Sequence, residues 1–284
     1  MKTISDILTL RAQVDEWRHD GDTVAIVPTM GSLHKGHISL MQLASEYAER
    51  VVATVFVNPT QFGPNEDFEK YPRAFDADRS RLTRGGVDVM FAPEHEEIFP
   101  FGLDHGTFVS VPDLSTILCG EKRPGHFDGV TSVVNRLFNI VGPDFAVFGQ
   151  KDYQQLVIIR RMVDDLHIPI KILACPTHRE ESGLAMSSRN RYLSDAEREQ
   201  APALYQAICE CRDRYLEGER DLKKLEQAGL ARLSQAGFEP EYLVIRKSGD
   251  LALPEADSRH LSVMGAARLG TTRLIDNVLF EVKT

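Results

Sequence analysis

The sequence predicts an α/β protein, with a Rossmann-like parallel sheet covered by helices on both faces and a smaller α+β C-terminal domain. Three observations carry this. Short apolar runs rich in β-branched residues recur at 23–27, 51–57, 87–91, 144–148 and 168–173, and such runs mark strands buried on both faces. Segments with helical spacing stand between them, and strand–helix alternation predicts a parallel sheet. The character then changes near residue 176. The domains are therefore set at 1–176 and 177–284.

Residues 5–18 read as an amphipathic helix with Ile7, Leu8, Leu10, Val14 and Trp17 on its apolar side. T-V-A-I-V (23–27) and V-V-A-T-V-F-V (51–57) follow as strands that end at Pro, Asn or Gly. Between them, 36–49 has helical spacing through Ile38, Leu40, Met41, Leu43 and Ala44, a unit of the right length for a right-handed parallel crossover. A helix at 74–84, a strand at 87–91 and a loop-rich stretch with Pro93, Pro100 and Pro112 come next. Then a helix at 128–141, a strand at 144–148, a helix at 152–166 and a strand at 168–173 continue the alternation. Beyond the boundary lie charged helices at 195–215 and 220–236. Strands at 241–246, 263–269 and 272–278 complete the chain, the last two joined by a hairpin turn at Gly270-Thr271.

Composition narrows the function. Apolar residues make up 42% of the 284 and charged residues 26%, as in an ordinary globular protein. Lys plus Arg number 33 against 42 Asp plus Glu, a formal charge of −9. That balance disfavours a nucleic-acid surface, which needs clustered cations. It leaves room for a small anionic ligand in one locally basic cleft. Cys119, Cys175, Cys209 and Cys211 are too few for a disulfide scaffold and read as buried or incidental thiols. The first residues lack an uninterrupted signal core, and no stretch approaches the ~20 apolar residues of a membrane span. The expectation is a cytoplasmic protein with no membrane partner.

The chemistry should lie beyond the carboxyl ends of the strands, where such sheets bind ligands. P-T-M-G-S-L-H-K-G-H (28–37) opens the helix after the first strand. It has the two glycines of a P-loop, Gly31 and Gly36, but His37 and Ile38 replace the Lys and Ser or Thr that should follow. An ordinary NTPase that transfers the γ-phosphate is therefore disfavoured. What remains is a turn entering a helix N-terminus, where amides and the helix dipole favour an anion. His34 and His37, one turn apart, add donors for charge developing on a phosphate. Taken alone, the pair also suits ordinary loop and cap residues. Zinc fits poorly, because no Cys or acidic residue stands nearby at ligand spacing.

Four further segments carry candidate chemistry, two of them directly after strands. N-P-T-Q-F-G-P (58–64) offers Gln61, both donor and acceptor. E-K-R-P-G-H-F-D-G-V (121–130) adds Arg123 and His126 before a helix. F-G-Q-K-D-Y-Q-Q (148–155) brings Lys151, a compact cation for phosphate, and Asp152, which also suits a helix N-cap. G-L-A-M-S-S-R-N (183–190) suggests a mobile cationic loop around Arg189 and Asn190.

H-K-G-H resembles the His-x-Gly-His motif of the nucleotidyltransferase superfamily, which includes the class I aminoacyl-tRNA synthetases. M-S-S-R resembles that superfamily's Lys-Met-Ser-Lys-Ser loop. In this order and spacing, the five segments closely resemble the pantothenate synthetase (pantoate–β-alanine ligase) family over essentially the full length. The resemblance implies an AMP-forming ligase of pantothenate biosynthesis. It would join pantoate to β-alanine with ATP and Mg²⁺ through a pantoyl adenylate, releasing AMP and diphosphate. The alternative is a nucleotidyltransferase that adenylylates a phosphate-bearing acceptor, and it would need no amine.

Carried over residue by residue, the resemblance assigns Met30, Gly31, Ser32, Leu33, His34, Lys35, Gly36 and His37 to ATP, with His37 as proton donor. Gly149, Gln150, Lys151, Asp152, Met186, Ser187, Ser188 and Arg189 also bind ATP. Gln61, Gln155 and Asn58 hold pantoate, and Gln61 also touches β-alanine. The catalytic set is His34, His37, Lys151 and Arg189. Mg²⁺ enters with the ATP phosphates, and no protein ligands are assigned to it. Position 178, often a small aliphatic residue facing the adenine in the family, is His178 here, and the resemblance assigns it too to ATP, through its backbone. The resemblance further implies a homodimer, and residues 177–284 are expected to act as a lid that keeps water from the adenylate.

Overall fold

The structure is a computed structural model and describes residues 1–64, 66–103 and 105–283. The chain divides into two compact units: Met1–Gly149 with Ile158–Cys175, and Gln150–Val157 with the residues from Pro176 onward.

In the first unit the elements are β1 (Lys2–Ile4), α1 (Ile7–His19), β2 (Val24–Val27), α2 (Lys35–Tyr47), β3 (Arg50–Thr54), α3 (Phe75–Arg84) and β4 (Val89–Phe91). The short α4 (His95–Ile98) and α5 (Cys119–Lys122), then α6 (His126–Val141), β5 (Phe145–Gly149), α7 (Tyr153–Asp165) and β6 (Lys171–Cys175) complete it, although the first turn of α7 groups with the second unit. The six strands are all parallel, in the order β1-β4-β3-β2-β5-β6. Every residue of β2 is fully buried, which requires cover on both faces and explains its unbroken apolar run. On one face Ala25, Val27, Val51, Ala53 and Met90 pack with Leu40, Met41 and Ala44 of α2. From β2 the chain builds outward to β3 and β4 on one side and to β5 and β6 on the other. The carboxyl ends of β2 and β5 therefore flank the point where the strand order reverses, the ligand position for such sheets.

The expected alternation is present, with three local differences. β1 was not expected, since three residues with two exposed carry no apolar run; pairing with β4 makes it a strand. The strand expected over 51–57 runs from Arg50 to Thr54, and beyond it the amides of Val55 and Phe56 still donate in register to the carbonyls of Phe91 and Thr29. The strand expected over 168–173 lies at 171–175. Pro169, with no N–H to give a ladder, falls before it.

In the second unit, α8 (Asp195–Gln200), α9 (Ala203–Leu216) and α10 (Leu222–Gln235) precede β7 (Glu239–Lys247), β8 (His260–Leu269) and β9 (Thr272–Glu281). The strands form an antiparallel sheet in the order β7-β8-β9. Its core joins Leu204, Ile208 and Cys211 of α9 with Leu225 and Leu233 of α10 and Leu243, Leu261 and Val263 of the sheet. The single helix expected over 195–215 is two, divided at Ala201 and Pro202; proline fits a helix start because its missing N–H would be an orphan there. The β8–β9 hairpin turns at Gly270 and Thr271 as expected, with Gly270 at φ +54°. No described helix is long and apolar enough to cross a membrane.

Candidate functional site

The turn after β2 is built before it is charged. Thr29 is buried and knits β2 to β3: its hydroxyl donates to the carbonyl of Thr54 at 2.6 Å and accepts from the amide of Gly31 at 3.2 Å. Gly31 then takes φ +77°, and a Cβ there would lie 2.9 Å from Asp78 Oδ2. Both the left-handed backbone and the close approach require glycine. Asp78, on α3 and 1% exposed, accepts the amides of Ser32 at 2.7 Å and Leu33 at 2.8 Å. Arg81 stands 3.8 Å from the same carboxylate.

The turn delivers His34 as the N-cap of α2, in extended conformation. The amide of His34 donates to Nδ1 of His37 at 3.2 Å, and the two rings stand 4.1 Å apart between centroids. A backbone N–H can only donate, so Nδ1 of His37 is an acceptor. In the neutral ring the proton then sits on Nε2, which becomes the donor. His34, Gly36 and His37 are half-buried and Lys35 is exposed.

Gln61 lies beside this turn, its Nε2 3.1 Å from Met30 Sδ. Its Oε1 accepts from Asn58 Nδ2 at 3.1 Å. The second hydrogen of that amide goes to the carbonyl of Gly129 at 3.2 Å. Both donors of Asn58, which is 1% exposed, are thus engaged within the protein. On the backbone side, the carbonyl of Gln61 accepts from His126 Nδ1 at 2.8 Å and Arg123 Nη2 at 3.3 Å. Arg123 Nη1 in turn donates to His126 Nε2 at 2.8 Å, which fixes the tautomer of His126 with its proton on Nδ1. Arg123 also makes a two-pronged pair with Glu66, both distances 2.6 Å. Burial pushes the Glu66 carboxyl up, but the hydrogen bonds and charge of Arg123 outweigh it and hold the group below its ordinary value. Gly129 admits the Thr60–Gln61 backbone: a Cβ there would lie 2.2 Å from the carbonyl of Thr60.

The other candidate residues belong to the second unit, except Gly149 at the end of β5. Lys151 and Asp152 lie in a 3-10 turn, with Lys151 Nζ 3.7 Å from Asp152 Oδ1. Gln155 follows on α7 and is half-buried. His178 is exposed; its carbonyl accepts the amide of Met186 at 3.0 Å, and Arg179 bridges to Ala185. That narrow loop is anchored by Arg179, paired through two hydrogen bonds with Asp276 and stacked 3.5 Å from the centre of the Tyr205 ring. Ser187 caps the next 3-10 turn, accepting from the amide of Arg189 at 3.2 Å. Buried Asn190 donates to the carbonyl of Ala185 at 3.0 Å and to Glu180 at 3.1 Å.

The structure therefore gathers Met30, His34, His37, Asn58 and Gln61 in one unit, and Lys151, Asp152, Gln155, His178 and Met186 to Arg189 in the other. Sequence reasoning missed Asp78 and the link from Glu66 through Arg123 to Gln61. The only local signal for Asp78 was an acidic residue in the first turn of a helix, which ordinarily reads as a dipole contact. Among the described residues no cluster of three His, Cys, Asp or Glu could cage a metal ion.

A family model described as pantoate-beta-alanine ligase matches residues 2–279. A pantothenate synthetase of Chromohalobacter salexigens is 51% identical over 278 residues, covering 98% of each chain. One from Stutzerimonas stutzeri is 51% identical over 284 residues, covering 100% of this chain and 99% of the relative. Among solved structures, pantothenate synthetase from Thermus thermophilus superposes with a TM-score of 0.91 at 43% identity, covering 98% of this chain and 99% of that one. A pantoate-beta-alanine ligase from Francisella tularensis, complexed with beta-gamma ATP and beta-alanine, gives 0.79 at 32% identity and covers 98% and 97%.

Proposed function

The chain belongs to the pantoate-beta-alanine ligase family, and from that premise we propose how its residues carry the ligation of pantoate with β-alanine. In the first step a pantoate carboxylate oxygen bonds to the α-phosphorus of ATP, the bridging P–O bond breaks, and diphosphate leaves. In the second, the neutral β-alanine amine bonds to the acyl carbon and loses a proton. The acyl C–O bond breaks and AMP leaves.

The observation that carries this reading is the bond from the His34 amide to His37 Nδ1. It turns the Nε2–H of His37 into a fixed donor at the mouth of α2, where the helix dipole already favours phosphate. A donor aimed at charge that grows in the transition state lowers the barrier without reorganising during the reaction. Losing one such donor slows a reaction by about 10²–10³-fold. Lys151 and Arg189 are proposed to neutralise the phosphates, as His34 is. Mg²⁺ bound to the triphosphate would supply further neutralisation.

Gln61 is proposed to hold pantoate and then β-alanine, orienting them without adding charge. Asn58 acts behind it, since its amide hydrogens are already spent on Gln61 and Gly129. Gln155 is the second pantoate residue. Keeping water from the adenylate is the role proposed for residues 177–284. A homodimer and a place in the cytoplasm belong to the same reading on the family resemblance, and sedimentation velocity tests the first. Product analysis with ATP, pantoate and β-alanine tests the chemistry: AMP, diphosphate and the amide are expected, and ADP with phosphate would overturn it.

A further inference from the structure

Asn277 on β9 is buried at 6% exposure, and both of its side-chain N–H groups point to a segment outside its own sheet. The ladder pair with Met264 is made by the backbone and does not call on the side chain. A buried amide is costly unless its donors are used. Asn277 uses both on one short segment: Nδ2 donates to the carbonyl of Gln150 at 2.9 Å and to that of Lys151 at 2.9 Å. The Asn277 backbone is held in its turn, since its amide donates to Asp276 Oδ1 at 2.8 Å.

Those two carbonyls belong to the peptide groups on either side of the Lys151 α-carbon. Fixing both peptide planes fixes φ and ψ of Lys151, and with them the direction of its Cα–Cβ bond. Three residues away from Gln150, the Tyr153 hydroxyl donates to the carbonyl of Ser248 at 2.8 Å, so the segment is tied down at a second point. Among side chains of this length, only the asparagine amide presents two hydrogens on one nitrogen. An aspartate would turn a carboxylate toward two carbonyl oxygens.

We propose that Asn277 is a positioning residue that aims the Lys151 ammonium, so that the strand far along the chain sets the direction of a phosphate-binding cation. The proposal rests on the reading that Lys151 serves the ATP phosphates. Misplacing such a group by about 1 Å lowers turnover on the order of 10²-fold.

The test is a double-mutant cycle between Asn277→Asp and Lys151→Ala, read as kcat/KM for ATP. Asn277→Asp is expected to lower it on the order of 10²-fold in the otherwise natural chain. It should lower it by less than about threefold when Lys151 is already alanine, because there is then nothing to aim. Equal losses in both backgrounds would show a general structural role and overturn the proposal, as would no loss from Asn277→Asp. If circular dichroism shows that Asn277→Asp does not fold, Asn277→Ala, which removes the two hydrogen bonds without adding charge, goes through the same cycle with the same deciding outcomes. Unchanged turnover in Lys151→Ala alone would sink the assigned role of Lys151 and this inference together. A loss there with none in the Asn277 variants overturns this inference only.

Discussion

The carboxylate of Asp78 accepts the backbone amide of Ser32 at 2.7 Å, and its other oxygen accepts Leu33. A residue 46 positions along the chain thereby sets the turn that delivers His34 to the start of α2. Asp78→Ala would take the carboxylate from the buried amide of Leu33 and from the half-buried amide of Ser32, and a buried N–H that loses its acceptor costs about 1–3 kcal/mol. The expected outcome is a stability loss of about 1–3 kcal/mol in urea unfolding, with a raised KM for ATP in the protein that remains folded. Natural stability in this variant would show that the turn holds without the carboxylate.

Gly129→Ala tests how closely α6 must approach the loop of Gln61, which is proposed to hold pantoate. The added methyl would meet the carbonyl of Thr60 at 2.2 Å and the amide of Gln61 at 2.8 Å. Backbone cannot yield as a flexible side chain can, so the loop must shift. Overpacking of this kind costs about 1–3 kcal/mol. The KM for pantoate should rise several-fold more than the KM for ATP, a comparison that steady-state kinetics makes directly.

The Glu66–Arg123 pair makes part of the stability depend on acid. Glu66 has a folded pKa below its unfolded value, because Arg123 outweighs the effect of burial. Its contribution is therefore fully present above the unfolded value near about 4.3 and is lost as pH falls through the folded value. The stability gap between the natural chain and Glu66→Gln should shrink when urea unfolding is repeated from about pH 6 down to about pH 3. A constant gap would mean that the pair does not titrate with folding.

Cys211 should be inert in the folded protein. Burial pushes its thiol up to about 12, with the charge of Glu226 adding to the effect. At about pH 8 the thiolate fraction is then on the order of 10⁻⁴, and only the thiolate reacts. Iodoacetamide followed by mass spectrometry should leave Cys211 unlabelled until urea is added. Labelling at the rate of an exposed thiol would contradict its burial.

Much of the fold could be read locally. β2 and β5 are apolar because both faces are covered, and α2 shows its buried stripe at Leu40, Met41 and Ala44. The His34–His37 pair was legible for the same reason, since both residues lie in one helical turn that directly follows a strand. Hidden features were those made by distance. β1 exists only through β4, and Asp78 has meaning only once α3 lies against the turn. Asn277 reads as a strand residue until the Gln150–Lys151 carbonyls are seen on its amide. No period or spacing in a sequence encodes contacts that join segments so far apart.

The central claim is that the His37 Nε2–H, set by the amide of His34, helps make the pantoate carboxylate reactive. Isotope exchange between diphosphate and ATP measures that step alone. With pantoate and no β-alanine, exchange is expected in the natural chain, and a fall of about 10²-fold or more in a folded His37→Ala variant. Exchange of undiminished rate in His37→Ala, or exchange that needs β-alanine, would contradict it.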